Sequence, residues 1–144
     1  MPDCVVDATV VYKANGDLAG RRPGNILDRR LTVIQQIGSG VRRLRYNQKL
    51  LNEYEQLVRE RRNDIIDIFF TVLSERAVLV TRNKLSPHCY AKAIQKCHWP
   101  SHDQHLLAAA IDGIDPSIVV TERNHVKCAN CIRKHFAVRL EDLG

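Results

Sequence analysis

Cys4-Val5-Val6-Asp7 is a run of three apolar residues that ends abruptly in a carboxylate. A short apolar run of this kind is the signature of a strand buried on both faces of a parallel sheet, because a strand with one wet face would alternate. Ser117-Ile118-Val119-Val120 repeats the pattern near the other end of the chain and hands over to Thr121-Glu122. Strand-like and helix-like segments alternate between the two. The expected fold is α/β, a three-layer α/β/α sandwich with a mainly parallel central sheet covered on both faces.

Working outward from these strands, residues 13–24 hold Gly16, Gly20, Pro23 and Gly24 and read as a basic surface loop. A helix is expected from about residue 25 to 37, stopped by Gly38 and Gly40. Residues 44–46 read as a short strand, after which Asn47 caps a helix with Leu50, Leu51, Tyr54, Leu57 and Val58 at helical spacing. A second helix begins near Asn63, and residues 77–80 form the next strand candidate. Ser86-Pro87 opens a helix running to about Cys97. Ser101 and Gln104 have the spacing of a capping box, which starts a helix through Leu106, Leu107, Ala110 and Ile111 that Gly113 ends. Residues 124–135 read as helical, and residues 136–140 alternate like a final strand. Neither a repeat nor a linker interrupts the pattern, so residues 1–144 are read as a single domain.

The 144 residues should bury roughly two-thirds of the surface of the unfolded chain. Hydrophobic residues at 44% and charged residues at 26% are ordinary globular values, which excludes a disordered or fibrous chain. Apolar runs fall far short of the ~20 residues of a membrane helix. Pro2 and Asp3 stand where a signal peptide would be basic, so a cytoplasmic protein is expected. Lys plus Arg number 22 against 16 Asp plus Glu, a net charge of +6 that favours polyanionic partners. Arg21, Arg22, Arg29 and Arg30 cluster early and Arg42, Arg43 and Arg45 follow, all as candidate phosphate contacts. Five cysteines, an odd number with no extracellular signal, read as reduced thiols.

In open parallel sheets ligands bind beyond the carboxyl ends of the strands. Asp7 and Glu122 both occupy that place. Asp103 falls on one helical stripe with Leu107, Ala110 and Ile114, and a carboxylate aimed along an apolar face is costly unless paired, hydrogen-bonded or on a metal. Glu53 flanks the apolar stripe of its own helix beside Leu50 and Leu57. Carboxylates converging on one rim repel one another, and a hard divalent cation with oxygen ligands relieves that repulsion.

Taken in order, V-V-D-A-T-V at residues 5–10, L-L-N-E-Y at 50–54, H-D-Q-H-L-L-A-A-A at 102–110 and I-V-V-T-E-R-N at 118–124 resemble the PIN-domain ribonucleases. That family has a strand ending in Asp, a helical Glu, a helical Asp before an apolar run and a strand ending T-x-D. The resemblance covers nearly the whole chain. It implies a metal-dependent endoribonuclease that hydrolyses RNA to a 5′-phosphate and a 3′-hydroxyl. Asp7, Asp103 and Glu122 would hold Mg²⁺ or Mn²⁺, with Glu53 binding directly or through water and completing the catalytic set. Thr9 and Thr121 would hydrogen-bond the carboxylates or the phosphate, and Arg21, Arg22, Arg42, Arg43 and Arg45 would bind backbone phosphates without reading sequence. An inhibitory protein partner, a homodimer and a toxin–antitoxin setting are further features of the family. One departure stands out: Glu122 directly follows Thr121, where the family has Thr, a small residue and then Asp. Residues 81–98, rich in basic, Cys and His residues, stand apart from the matching motifs.

Three rival readings come from the same residues. The first is a catalytically silent PIN-like RNA-binding or scaffold protein, motivated by Glu122. A second is a small zinc-binding nucleic-acid module built on Cys128-x-x-Cys131 and His135, completed by Cys97-His98 or His88-Cys89. Cys-dependent catalysis from those Cys-His neighbours is the third.

Overall fold

In the computed structural model of the protein, which describes residues 1–16 and 26–143, the central element is a five-stranded, all-parallel sheet in the order β3-β2-β1-β4-β5. Strand β1 (Asp3–Val6) leads into helix α1 (Ala8–Gly16), and helix α2 (Ile26–Ser39) precedes β2 (Arg43–Tyr46). Helices α3 (Gln48–Leu57) and α4 (Asp64–Glu75) follow, then β3 (Val78–Leu79) and α5 (Pro87–Tyr90), which continues as a π-helical segment, Ala91–Lys96. A 3₁₀ turn, Ser101–Asp103, opens α6 (Gln104–Ala110), and the chain ends with β4 (Ser117–Val120), α7 (Arg123–Val126), α8 (Ala129–Phe136) and β5 (Arg139–Asp142). The α/β class with a parallel sheet is as expected. Among the described residues no helix is long and apolar enough to cross a membrane.

Every residue of β1 and of β4 is buried, as the two unbroken apolar runs require. Their register pairs Val5 with Ile118 and Val6 with Val119, so the two strands finish level with each other. The Asp7 amide donates to the Val119 carbonyl at 3.0 Å and fixes the exit of β1 against β4. After β1 the chain builds β2 and β3 on one side and then returns to place β4 on the other. The boundary between β1 and β4 is therefore the switch point at which such sheets open a crevice.

Two buried asparagines set the helices beside that crevice. Asn47 accepts from the Leu50 amide to cap α3 and donates to the carbonyls of Arg82 and His105 at 3.2 and 3.0 Å. Asn63 caps α4 through the Ile66 amide and donates to the Ala14 carbonyl. The Tyr54 hydroxyl, fully buried, donates to the Val6 carbonyl at 2.5 Å and ties α3 to the end of β1.

Several boundaries differ from expectation, each for a packing reason. Helix α1 begins directly after Asp7, although Thr9-Val10-Val11 is a poor helix former, because it buries Val10, Val11 and Ala14. The Ser101/Gln104 capping box is not formed: Gln104 Oε1 accepts from the Leu85 amide at 3.0 Å, and Asp103 takes the cap position without a side-chain cap bond. Residues 124–135 form two helices, and Phe136 closes α8 before Ala137 turns left-handed at φ 55°. The reduced-thiol reading is corrected for one pair: Cys97 and Cys131 form a disulfide with Cα atoms 5.5 Å apart, while Cys4, Cys89 and Cys128 are free. Counting cysteines cannot reveal that α8 lies against the end of the π-helical segment.

At the amino ends of the strands, Asp3 is fully buried. Arg43 donates to it through Nε at 2.6 Å and Nη2 at 3.1 Å, the Ile114 amide donates at 2.7 Å, and Arg45 Nη1 lies 3.8 Å away. A Cβ on Gly113 would sit 3.1 Å from Asp3 Oδ2 and 3.2 Å from Arg45 Cδ, so glycine lets the knot close. Burial pushes the Asp3 carboxyl up, but the Arg43 and Ile114 hydrogen bonds and the two arginine charges outweigh it and hold it below its ordinary value of 3.8. A lowered folded-state value stabilises the fold above about pH 3.8 and is lost as pH falls through that lowered value. Asp3→Asn is expected to cost on the order of 2–3 kcal/mol near pH 7. Urea denaturation should find that difference shrinking below pH 3.8, where the wild-type carboxyl also becomes neutral.

Candidate metal centre

At the opposite rim Asp7 follows β1, Glu122 follows β4 by way of Thr121, and Asp103 stands at the start of α6, which packs on β1, β2 and β4. Carboxylate oxygens of Asp103 and Glu122 and a ring nitrogen of His125 all lie within 4.8 Å of one another. Asp7 stands outside that cluster, yet the charges of Asp103, Glu122 and His125 all bear on it. Two of the four expected acids are thus brought together with a histidine that was not expected, and Asp7 lies within electrostatic reach of all three.

Glu53 is placed differently. Its Oε1 meets His105 Nε2 at 2.5 Å, and the charge on His105 in turn reaches Asp103. Glu53 is therefore linked to the other acids through an imidazole rather than directly. Thr9 Oγ1 donates to Asp7 Oδ2 at 2.9 Å. Thr121 Oγ1 is buried with no hydrogen-bond partner, as are the Nδ1 atoms of His105 and His125.

His125 is fully buried, and its Nε2 lies 2.8 Å from Asp103 Oδ2. Trp99 holds it there: the two rings pack at a tilt of 37° with centroids 4.8 Å apart, and Trp99 Nε1 donates to the Asp103 carbonyl at 2.9 Å. Exposed His102 lies 3.3 Å from the same Asp103 oxygen. For Asp103, burial raises the carboxyl but the hydrogen bond from His125 and the charges of His125, His102 and His105 bring it below its ordinary value. His125 is pushed down by burial and up by the Asp103 bond and by Asp103, Asp7 and Glu122, with a net rise. Asp7 ends high: burial dominates, Thr9 opposes it, and the charges of Asp103 and Glu122 add to it against that of His125.

A carboxyl held high by burial, with two like charges adding to the rise, gains from a nearby cation, and orphaned polar atoms point to a missing partner. The donor set is carboxylate oxygen with one imidazole, which fits a hard or borderline divalent cation of the Mg²⁺ or Mn²⁺ type.

Arg42, Arg43 and Arg45 are bonded within the fold. Arg42 forms a two-pronged ion pair with Glu141 (Nη2 to Oε1 at 2.9 Å) and donates to Gln36, and Arg43 is bound to Asp3. Arg45 donates to the carbonyls of Ala109 and Ile111 at the end of α6. The donors of these three arginines are thus engaged with Gln36 and Glu141, with Asp3 and with the end of α6. Arg21 and Arg22 lie outside the described residues. The zinc set is also rearranged: Cys128 Sγ turns to the Asn124 carbonyl, whereas Cys97, Cys131 and His135 come together. His105, His125 and Trp99 were missed as site residues, although a histidine directly before the apolar run Leu106-Leu107-Ala108-Ala109-Ala110, as at 105, demands a polar partner once buried.

Compared with protein-family models, curated proteins and solved structures, the chain matches none of them.

If like charge at this rim is the cost an ion relieves, Asp7→Asn should act in opposite directions with and without metal. Its thermal midpoint is expected to rise above wild type in EDTA and to respond less than wild type to added Mn²⁺. A midpoint below wild type in EDTA would mean that the Asp7 charge is already compensated within the protein.

Proposed function

We propose that the protein is a metal-dependent endoribonuclease of the PIN type, with its active site at the Asp7, Asp103 and Glu122 rim. The observation that carries this reading is the convergence of Asp103, Glu122 and His125 within 4.8 Å beside a buried Asp7, at the switch point of a parallel sheet. The motif order of the sequence supports it, since the same acids carry the resemblance.

Asp7, Asp103 and Glu122 would hold the ion. When bound, it would supply a water activated for attack on the phosphodiester and neutralise charge on the attacked phosphate. The protein's own residues do the rest. Thr9 fixes the Asp7 carboxylate, and His125, clamped by Trp99, fixes that of Asp103. Glu53, held by His105, adds negative charge at a short remove and can orient a water. Glu122 is exposed and reaches the cluster although it directly follows Thr121, because the chain turns into α7 at that residue. For the RNA backbone, Lys49, whose Nζ lies 3.5 Å from the His102 carbonyl, and exposed Arg123 supply positive charge near this rim.

Incubation of a single-stranded RNA with the protein and Mn²⁺ is expected to give fragments with 5′-phosphates. Asp7→Asn and Asp103→Asn should lose at least about 100-fold in rate, and His125→Ala about 10–100-fold. Equal cleavage by wild type and variants would assign the activity to a contaminant. Binding of RNA without cleavage by any of them would favour the silent RNA-binding reading.

A further inference from the structure

Cys97, Cys131 and His135 form a second cluster, with ligand atoms all within 4.8 Å of one another. Cys97 ends the π-helical segment, and Cys131 and His135 stand one turn apart on α8, which brings both side chains to one face. Cys97 is buried, whereas Cys131 and His135 are half-buried and reachable from solvent. We propose that with its cysteines reduced the protein binds one zinc ion through Cys97, Cys131 and His135, and that this ion staples the π-helical segment to α8.

Two thiolates and an imidazole are a soft set that selects zinc over the hard cations suited to the carboxylate rim. Lys92, Lys96 and Lys134 all bear electrostatically on His135, so a bare dication is disfavoured there unless two thiolates cancel it. The balance of the step is simple. Opening the Cys97–Cys131 disulfide takes two electrons and two protons from a dithiol reductant, which becomes a disulfide, and zinc then displaces the two thiol protons. Disulfide and zinc are thus alternative closures of one junction. The junction matters because Trp99, two residues after Cys97, packs against His125 and donates to the Asp103 carbonyl. The inference does not depend on nuclease activity.

The test uses the full chain, reduced with a phosphine and freed of metal, titrated with Co²⁺ and then Zn²⁺. Expected are thiolate-to-cobalt absorption and the visible bands of a four-coordinate site at one equivalent, both erased by one equivalent of Zn²⁺. Cys97→Ser and Cys131→Ser should each abolish the thiolate absorption of the pair, and His135→Gln should move the visible bands and weaken Zn²⁺ by at least about tenfold. Because either serine variant could unfold, His135→Gln, altered at a half-buried position, is the deciding one. Cys128→Ser and Asp103→Asn should leave the spectrum unchanged, which separates this site from the acidic rim. Absence of the bands in reduced wild type, an unchanged spectrum in His135→Gln, or loss in Cys128→Ser would overturn the proposal.

Discussion

Strands β1 and β4 are buried along their whole length, and that single constraint confines charge to their two ends. A carboxylate cannot sit mid-strand between two helical layers without a partner, so each strand turns acidic only where it reaches a rim. The chain places an aspartate at both ends of β1. Asp3 at the amino end is met by Arg43, Arg45 and a backbone amide, and its charge is fully answered within the fold. Asp7 at the carboxyl end is met by a threonine hydroxyl, by other carboxylates and by a histidine. The same residue type on one strand thus gives a structural knot at one rim and an unanswered negative charge at the other.

The histidines make that charge tolerable without cancelling it. Each is wholly buried and gives Nε2 to one carboxylate, His105 to Glu53 and His125 to Asp103, while its Nδ1 has no partner. Trp99 braces the second pair by packing against His125 and by binding the Asp103 main chain, so that the orientation of Asp103 depends on the segment that follows Cys97. Rigid support of this kind holds carboxylates in place although they repel each other, which is the condition a cation site needs before the cation arrives.

What could be read from the sequence was whatever depends on local pattern. The two apolar runs located β1 and β4, Asn47 and Asn63 announced their helices, and the abrupt change from valine to acid marked Asp7. What could not be read depends on partners far along the chain. Arg42, Arg43 and Arg45 look like a basic patch in a row of letters, but their partners Glu141, Asp3 and the end of α6 lie many residues away. His105 and His125 carry no spacing that marks them, and Cys97 meets Cys131 across 34 residues. Helix α1 was hidden because burial overrode the poor propensity of its β-branched residues.

The central claim is that Asp7, Asp103 and Glu122 share one divalent ion. A crystal structure of the protein grown with Mn²⁺, with the anomalous signal of manganese recorded, addresses it directly. The account predicts one strong peak at bonding distance from carboxylate oxygens of all three residues, with His125 still on Asp103. Absence of a peak at this rim, or an ion bound without Asp7, would contradict it.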